Sequence, residues 1–240
     1  MIVNASISEN GNAGWDGKAK AGDQTGTEVY KRPWYNKGWN VMLRCPDTEA
    51  AEKAVEIAVK LADSNLVGYD QSERNTLYQA LKAHNFNVDA YIKSGKKTET
   101  DCSAFIYAAF ACVLPAMRYD GNAPTTRTMQ QFFKRHGFTA YKQALYLTSD
   151  AALRTGDILI KEGSHTVLNI TDHISASYYY PKYTGSTGSI VDALRAVGEK
   201  DTSLTHRRKL AVANKIGIAD SYGMNVQLLK KLKNGVLVRV

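Results

Sequence analysis

An α+β domain followed by a small all-α tail is the architecture that this 240-residue sequence predicts, on three observations. An apolar run from Phe105 to Leu114 is entered through Asp101-Cys102-Ser103, which describes a buried helix with a thiol at its first turn. Between residues 145 and 180 short apolar stretches alternate with Gly-containing turns, the pattern of a small antiparallel sheet. Beyond a Tyr-, Pro- and Gly-rich stretch, three helical patterns fill the rest of the chain. The predicted organisation is a domain over residues 1–180, in which the helix bearing Cys102 packs on the sheet, a linker over 181–188 and a three-helix domain over 189–240.

In chain order, residues 1–28 are polar and glycine-containing and read as loop or irregular strand, either a flap beside a cleft or a plain surface loop. Val29 to Arg44 carries Tyr30, Trp34, Tyr35, Trp39, Val41 and Leu43, a density of aromatics that fits extended structure, with Trp34 and Tyr35 as candidate sugar or peptide platforms. Ala51, Ala54, Val55, Ala58 and Leu61 recur at helical spacing after Pro46, with Asp47 or Thr48 as the cap. A second helix is expected over Ser72 to His84, with Leu77, Ala80 and Leu81 inward. After the Cys102 helix, residues 119–125 form a turn and Thr126 to His136 a short amphipathic helix carrying Met129, Phe132 and Phe133. Strands are expected over Leu145 to Leu147, Asp157 to Lys161, His165 to Ile170 and Ile174 to Tyr180. In the tail, helices are expected over Ser189 to Val197, Leu204 to Ile216 and Asn225 to Leu232, with Arg207, Arg208, Lys209, Lys230, Lys231 and Lys233 on polar faces. Three helices this small are marginal alone.

Composition narrows the function. Apolar residues make up 44% of the chain, enough for a sizeable core. No run of 18 or more apolar residues exists, so no helical membrane span is expected. The polar N-terminus has no apolar signal segment, which leads us to expect synthesis in the cytoplasm without a signal peptide. Three cysteines cannot complete a disulfide framework, and their spacing matches no zinc pattern; no metal or cofactor is expected. A net charge of +8 suits an anionic polymer, whether nucleic acid, a membrane surface or a bacterial wall rich in teichoic acid. Charge does not choose among them.

Chemistry points to Cys102. A thiol behind the N-cap Asp101 meets the free N–H groups and positive dipole end of its helix, which favour thiolate. Cys112 lies within the apolar run and fits a packing role, and Cys45 before Pro46 has no activating neighbour. Of the five histidines, His84, His136, His173 and His206 sit in polar helical or turn settings, whereas His165 opens a strand after a Gly-containing turn. His165 is therefore the base expected to pair with Cys102.

The residues Asp101-Cys102-Ser103-Ala104-Phe105 resemble the Asp-Cys-Ser-Gly-Phe signature of the NlpC/P60 cysteine peptidases, which are papain-like. Leu153-Arg154-Thr155-Gly156-Asp157-Ile158-Leu159 resembles the hairpin that precedes their catalytic histidine, and Ser164-His165-Thr166-Val167-Leu168 the histidine strand itself. The resemblance covers roughly residues 65–180, and it departs at Ala104, where the family has glycine. It implies a papain-like fold and cleavage of amide bonds in peptidoglycan stem peptides. A third polar residue follows the histidine in that family; Asp172 and His173 fall at the expected hairpin tip, which leaves Ser177 on the returning strand. A family tyrosine that reaches the site corresponds to Tyr69 or Tyr91, and Tyr69 is carried with Asp101 and Ser103 as the expected substrate-binding set.

The tail, opening with Gly188-Ser189-Ile190-Val191-Asp192-Ala193-Leu194, resembles the small helical modules at the C-termini of bacteriophage lysins and related cell-wall amidases. That implies binding to peptidoglycan and anionic wall polymer of a Gram-positive host after release from the cell that made the protein. A dimerisation or nucleic-acid-binding appendage is the other reading of three helices with a basic face. The expected function is thus a phage endolysin-like peptidoglycan hydrolase using Cys102 and His165. The alternative is a non-catalytic wall or nucleic-acid binding protein on a papain-like scaffold.

Overall fold

Alternating apolar residues along short strands give one sheet two covered faces. The computed structural model describes residues 1–118, 122–171, 180–214, 216–217 and 220–239. Its strands are β1 (Ile2–Ala5), β2 (Val29–Arg32), β3 (Val41–Arg44), β4 (Val67–Tyr69), β5 (Thr98–Thr100), β6 (Thr139–Tyr141), β7 (Ile158–Lys161) and β8 (His165–Asn169). The helices of the same unit are α1 (Thr48–Asp63), α2 (Thr76–Ala83), α3 (Val88–Ser94), α4 (Cys102–Val113), α5 (Met129–Arg135) and the single turn α6 (Ala144–Leu147). Six strands form a sheet in the order β2-β1-β8-β7-β3-β6, with every neighbouring pair antiparallel, and β4 and β5 pair in parallel separately. The chain divides into two compact units, Met1–His173 and Ile174–Val240.

The face that carries Val3, Ala5, Val41, Leu43, Ile158, Ile160 and Leu168 packs with α1 and α4. The opposite face carries Ile2, Met42, Leu159 and Val167 and is covered by Trp39, Tyr146, Ala152 and Leu153. This alternation is what a period of two dictates. Helix α1 starts where Asp47 accepts the Ala50 N–H. Helix α4 is buried from Cys102 to Ala111 because almost every side chain it offers is apolar. The Gly156-Asp157 turn has two physical causes: a Cβ on Gly156, at φ +84°, would lie 2.6 Å from Ala51 Cβ of α1. The buried Asp157 carboxylate receives Arg44 Nε at 2.8 Å, tying the turn to β3.

Several expectations need correction. Leu145 to Leu147 forms a helical turn rather than a strand, because three apolar residues carry no readable period. The N-terminal loop contains β1, which sits inside the sheet between β2 and β8. Helix α3 and the parallel β4–β5 pair were not expected from the sequence. Most of the expected fourth strand, Ile174 to Tyr180, lies outside the described residues.

In the second unit, α7 (Ile190–Ala196), α8 (Leu204–Ala213) and α9 (Ser221–Asn234) are capped by Ser189, Ser203 and Asp220. They enclose Ile190, Ala193, Leu194, Leu210, Met224, Leu228 and Leu232. Tyr180 joins this core, and its N–H donates to the Leu237 carbonyl at 3.0 Å. Tyr183 N–H likewise donates to Leu232 O at 3.1 Å. The stretch expected to end the first domain at residue 180 and begin a linker therefore packs on the helical unit: tyrosine supplies buried area that a linker reading of Pro181, Gly185 and Gly188 overlooks.

Candidate active site

Helix α4 and strand β8 bring Cys102 and His165 into one neighbourhood. Cys102 is the first residue of α4, 5% exposed, and the backbone N–H of Thr166, next to His165, acts on its thiol as a hydrogen-bond donor. His165 opens β8, 7% exposed, with the Trp39 ring stacked on it at 6.3 Å between centroids. Trp39 in turn meets Tyr35 at 5.6 Å, and Arg32 lies 4.5 Å from the Tyr35 ring centre. One wall of the site is thus a run from Arg32 through Tyr35 and Trp39 to His165. Tyr35 and Tyr69 both lie within electrostatic range of the Cys102 thiol.

The helix start is built around Asp101. Its carboxylate accepts the Ser103 and Ala104 N–H groups at 2.9 and 2.7 Å, and the Ser103 hydroxyl at 2.9 Å. The Cys102 N–H is not among the donors to this cap. Arg74 closes the other side: its Nε reaches Asp101 Oδ2 at 2.5 Å, and its terminal nitrogens reach Ser103 Oγ and the carbonyls of Ala123 and Pro124. Asp101 and Ser103, expected among the substrate-binding residues, have their side chains committed to this cap. Arg74 was missed, since nothing local marks a partner 27 residues away.

Of the two candidate tyrosines, Tyr69 is the one beside Cys102. Its hydroxyl donates to Ala13 O at 2.8 Å and accepts from Gln71 Nε2 at 3.0 Å. Tyr91 is instead buried with Thr98, 2.7 Å between the hydroxyls. The N-terminal loop is fastened here: besides Ala13, Asp16 N–H reaches Asp70, and Glu28 accepts the Tyr69 N–H at 2.8 Å. Behind β4, Glu99 is fully buried with neither carboxylate oxygen partnered among the described residues. Burial, then the charges of Glu28 and Asp70, push its carboxyl up to about 9, so it is neutral at pH 7. Ser177, Asp172 and His173 lie outside the described residues. Trp34 and Tyr35 are half-buried against the Trp39 face of the sheet.

The resting electrostatics differ from the expected thiolate. Burial pushes the Cys102 thiol up to about 12, the Asp101 carboxylate adds to this, and the Thr166 N–H, Arg74 and the Ser103 N–H oppose it. Burial pulls His165 down to about 4, helped by Lys37 and Arg32 and opposed by Asp101. The pair therefore rests as thiol and neutral imidazole. The helix dipole is outweighed mainly by burial of the sulfur, and further by Asp101, the capping anion beside it. Cys45 and Cys112 are also pushed up, each mainly by burial.

Such an arrangement suits a reaction in which the thiol loses its proton to imidazole as it attacks, rather than one starting from a standing ion pair. Among the described residues no group of histidine, cysteine and carboxylate side chains is arranged to hold a metal ion. No described helix is long and apolar enough to cross a membrane. Residues 2–176 match a family model described as endolysin-like domain. No curated protein and no solved structure matches the chain.

Proposed function

The chain belongs to the endolysin-like domain family, and on that premise we propose that it is a phage endolysin-type peptidoglycan hydrolase acting through Cys102 and His165. The single observation that carries the chemistry is the thiol at the start of α4 lying against β8 beside His165. As Cys102 Sγ attacks a stem-peptide or cross-bridge carbonyl, His165 takes its proton and then passes it to the leaving amine. The Cys102 N–H, which does not donate to the Asp101 cap, contributes to holding the carbonyl oxygen as it gains charge. Water then releases the acyl group from sulfur. The NlpC/P60 type of cysteine peptidase is the reading this order of groups supports best.

The test is to digest purified Gram-positive walls and identify the products by mass spectrometry. New amine and carboxyl ends from amide hydrolysis, with glycan strands uncut, are expected. Products cut only within the glycan would overturn the assignment. The same spectra name the bond among muramoyl-alanine, γ-glutamyl and cross-bridge amides.

The second unit is proposed as the wall-targeting part. Arg208, Lys209 and Lys230 are exposed on it, whereas Arg207 is held by Asn225 Oδ1 at 2.6 Å and by Thr202 O. Tethering raises the concentration of a hydrolase at an insoluble polymer without altering its chemistry. A chain ending at residue 173 is expected to keep its activity on soluble peptidoglycan fragments and to lose most of its co-sedimentation with intact walls. The full chain should sediment less as salt shortens the screening length to roughly 3 Å at 1 M. Equal sedimentation of both chains would move the dimerisation reading ahead.

A further inference from the structure

We propose that Asn4 of β1 is the positioning residue for His165, supplying the polar third member that the returning strand was expected to provide. The proposal rests on the reading of Cys102 and His165 as nucleophile and base.

Asn4 is 1% exposed, yet neither its amide nitrogen nor its amide oxygen has a hydrogen-bond partner among the described residues. A buried amide left unpaired costs on the order of 1–3 kcal/mol, and native proteins rarely keep one without use for it. Its place in the sheet suggests the use. The β1–β8 ladder ends at Val3 and Leu168, and its register carried one residue further along both strands brings Asn4 toward Val167, two residues along β8 from His165.

The faces agree as well. Ile2 and Val167 lie on the Trp39 side of the sheet, while Val3, Ala5 and Leu168 lie on the α4 side. By strand alternation Asn4 and His165 therefore share the Trp39 face, and Trp39 does stack on His165. In a regular continuation of that register the two would be diagonal neighbours, whose Cα atoms lie about 7–8 Å apart, within reach of an amide and an imidazole turning toward each other. Such bonds are often unmade in an unliganded site and close when substrate arrives.

The chemical role follows from the groups around the ring. Arg32 and Lys37 act against a protonated His165, with Asp101 acting for it and Lys161 opposite in the β7 register. When His165 takes the proton of Cys102, the imidazolium needs an acceptor for its second N–H. Asn4 Oδ1 accepts that N–H, fixes the ring plane and leaves the first nitrogen aimed at sulfur. A neutral acceptor does this without adding another charge to the buried site.

The experiment compares full-length Asn4→Leu and Asn4→Asp with wild type, following amine release from solubilised peptidoglycan over pH 3–9 together with thermal unfolding. Asn4→Leu is expected to unfold at or above the wild-type temperature, because an unpaired amide gives way to an apolar group. It should lose about 10- to 100-fold in kcat with KM little changed, part of the roughly hundred- to ten-thousand-fold a positioned base contributes. Asn4→Asp should recover much of that loss and move the acid limb of the profile upward, since an anion there favours imidazolium.

Wild-type kcat in Asn4→Leu would overturn the proposal. So would an unmoved acid limb in Asn4→Asp, which would leave Asn4 a purely structural residue. Cys102→Ala is run beside them: if that variant stays active, the underlying Cys–His reading fails whatever Asn4 does.

Discussion

Cys102→Ala is expected to lower amide hydrolysis by at least about ten-thousand-fold, the scale seen when the nucleophile of a covalent mechanism is removed. The variant should fold normally. Cys102 adds only a sulfur to a helix whose other side chains are mostly alanine and aromatic, and Ala is the better helix former. Circular dichroism and thermal unfolding check this before activity is compared. The wild-type pH profile is an independent part of the same prediction. A general base works only when deprotonated, so with His165 pulled down to about 4, activity should fall as pH drops through that region and stay level across neutrality. An enzyme that starts from a standing thiolate–imidazolium pair would instead track the low pKa of its sulfur. Purified walls lysed by Cys102→Ala at the wild-type rate would remove Cys102 from the mechanism.

The parts of this molecule that a reader of the sequence can find are those governed by local pattern. Helices α1 and α4 announce themselves through apolar spacing and through Asp47 and Asp101, whose side chains do cap them. Cys102 and His165 are legible for the same reason, each standing at the entrance of a strongly patterned element. Strand β5 is not legible, because Thr98, Glu99 and Thr100 are polar residues that become buried only through pairing with β4 about thirty positions earlier. Strand β1 is hidden by its shortness and by Asn4 in its middle. The resting charge state was misjudged from the sequence for a related reason. Dipole and cap can be inferred locally, but the burial that dominates both pKa shifts depends on the walls contributed by Tyr35, Trp39 and Tyr69. Arg74 completes the set: its four partners, Asp101, Ser103, Ala123 and Pro124, come from two distant stretches.

Replacing Arg74 with methionine should destabilise the protein by about 3–5 kcal/mol, the usual result of removing one partner from a buried ion pair. Against a total stability of about 5–15 kcal/mol this is a large fraction. The guanidinium contacts both Asp101 oxygens, Ser103 Oγ and the carbonyls of Ala123 and Pro124, with both side chains of the pair only 13% and 10% exposed. Methionine fills much of the volume but leaves an anion without its counter-charge and two carbonyls without a donor. The damage falls on the first turn of α4, so the position of Cys102 should suffer with it. Arg74 also works against the rise of the thiol pKa, and its loss makes deprotonation by His165 harder still. Urea unfolding of wild type, Arg74→Met, Asp101→Asn and the double variant forms a cycle that isolates the pair. Asn is an acceptable helix cap, so the double variant should lose less than the two single losses added together. Strict additivity, or a cost below about 1 kcal/mol for Arg74→Met, would mean that the pair contributes no more than an exposed salt bridge does. The start of α4 would then be held by its backbone cap and apolar packing alone.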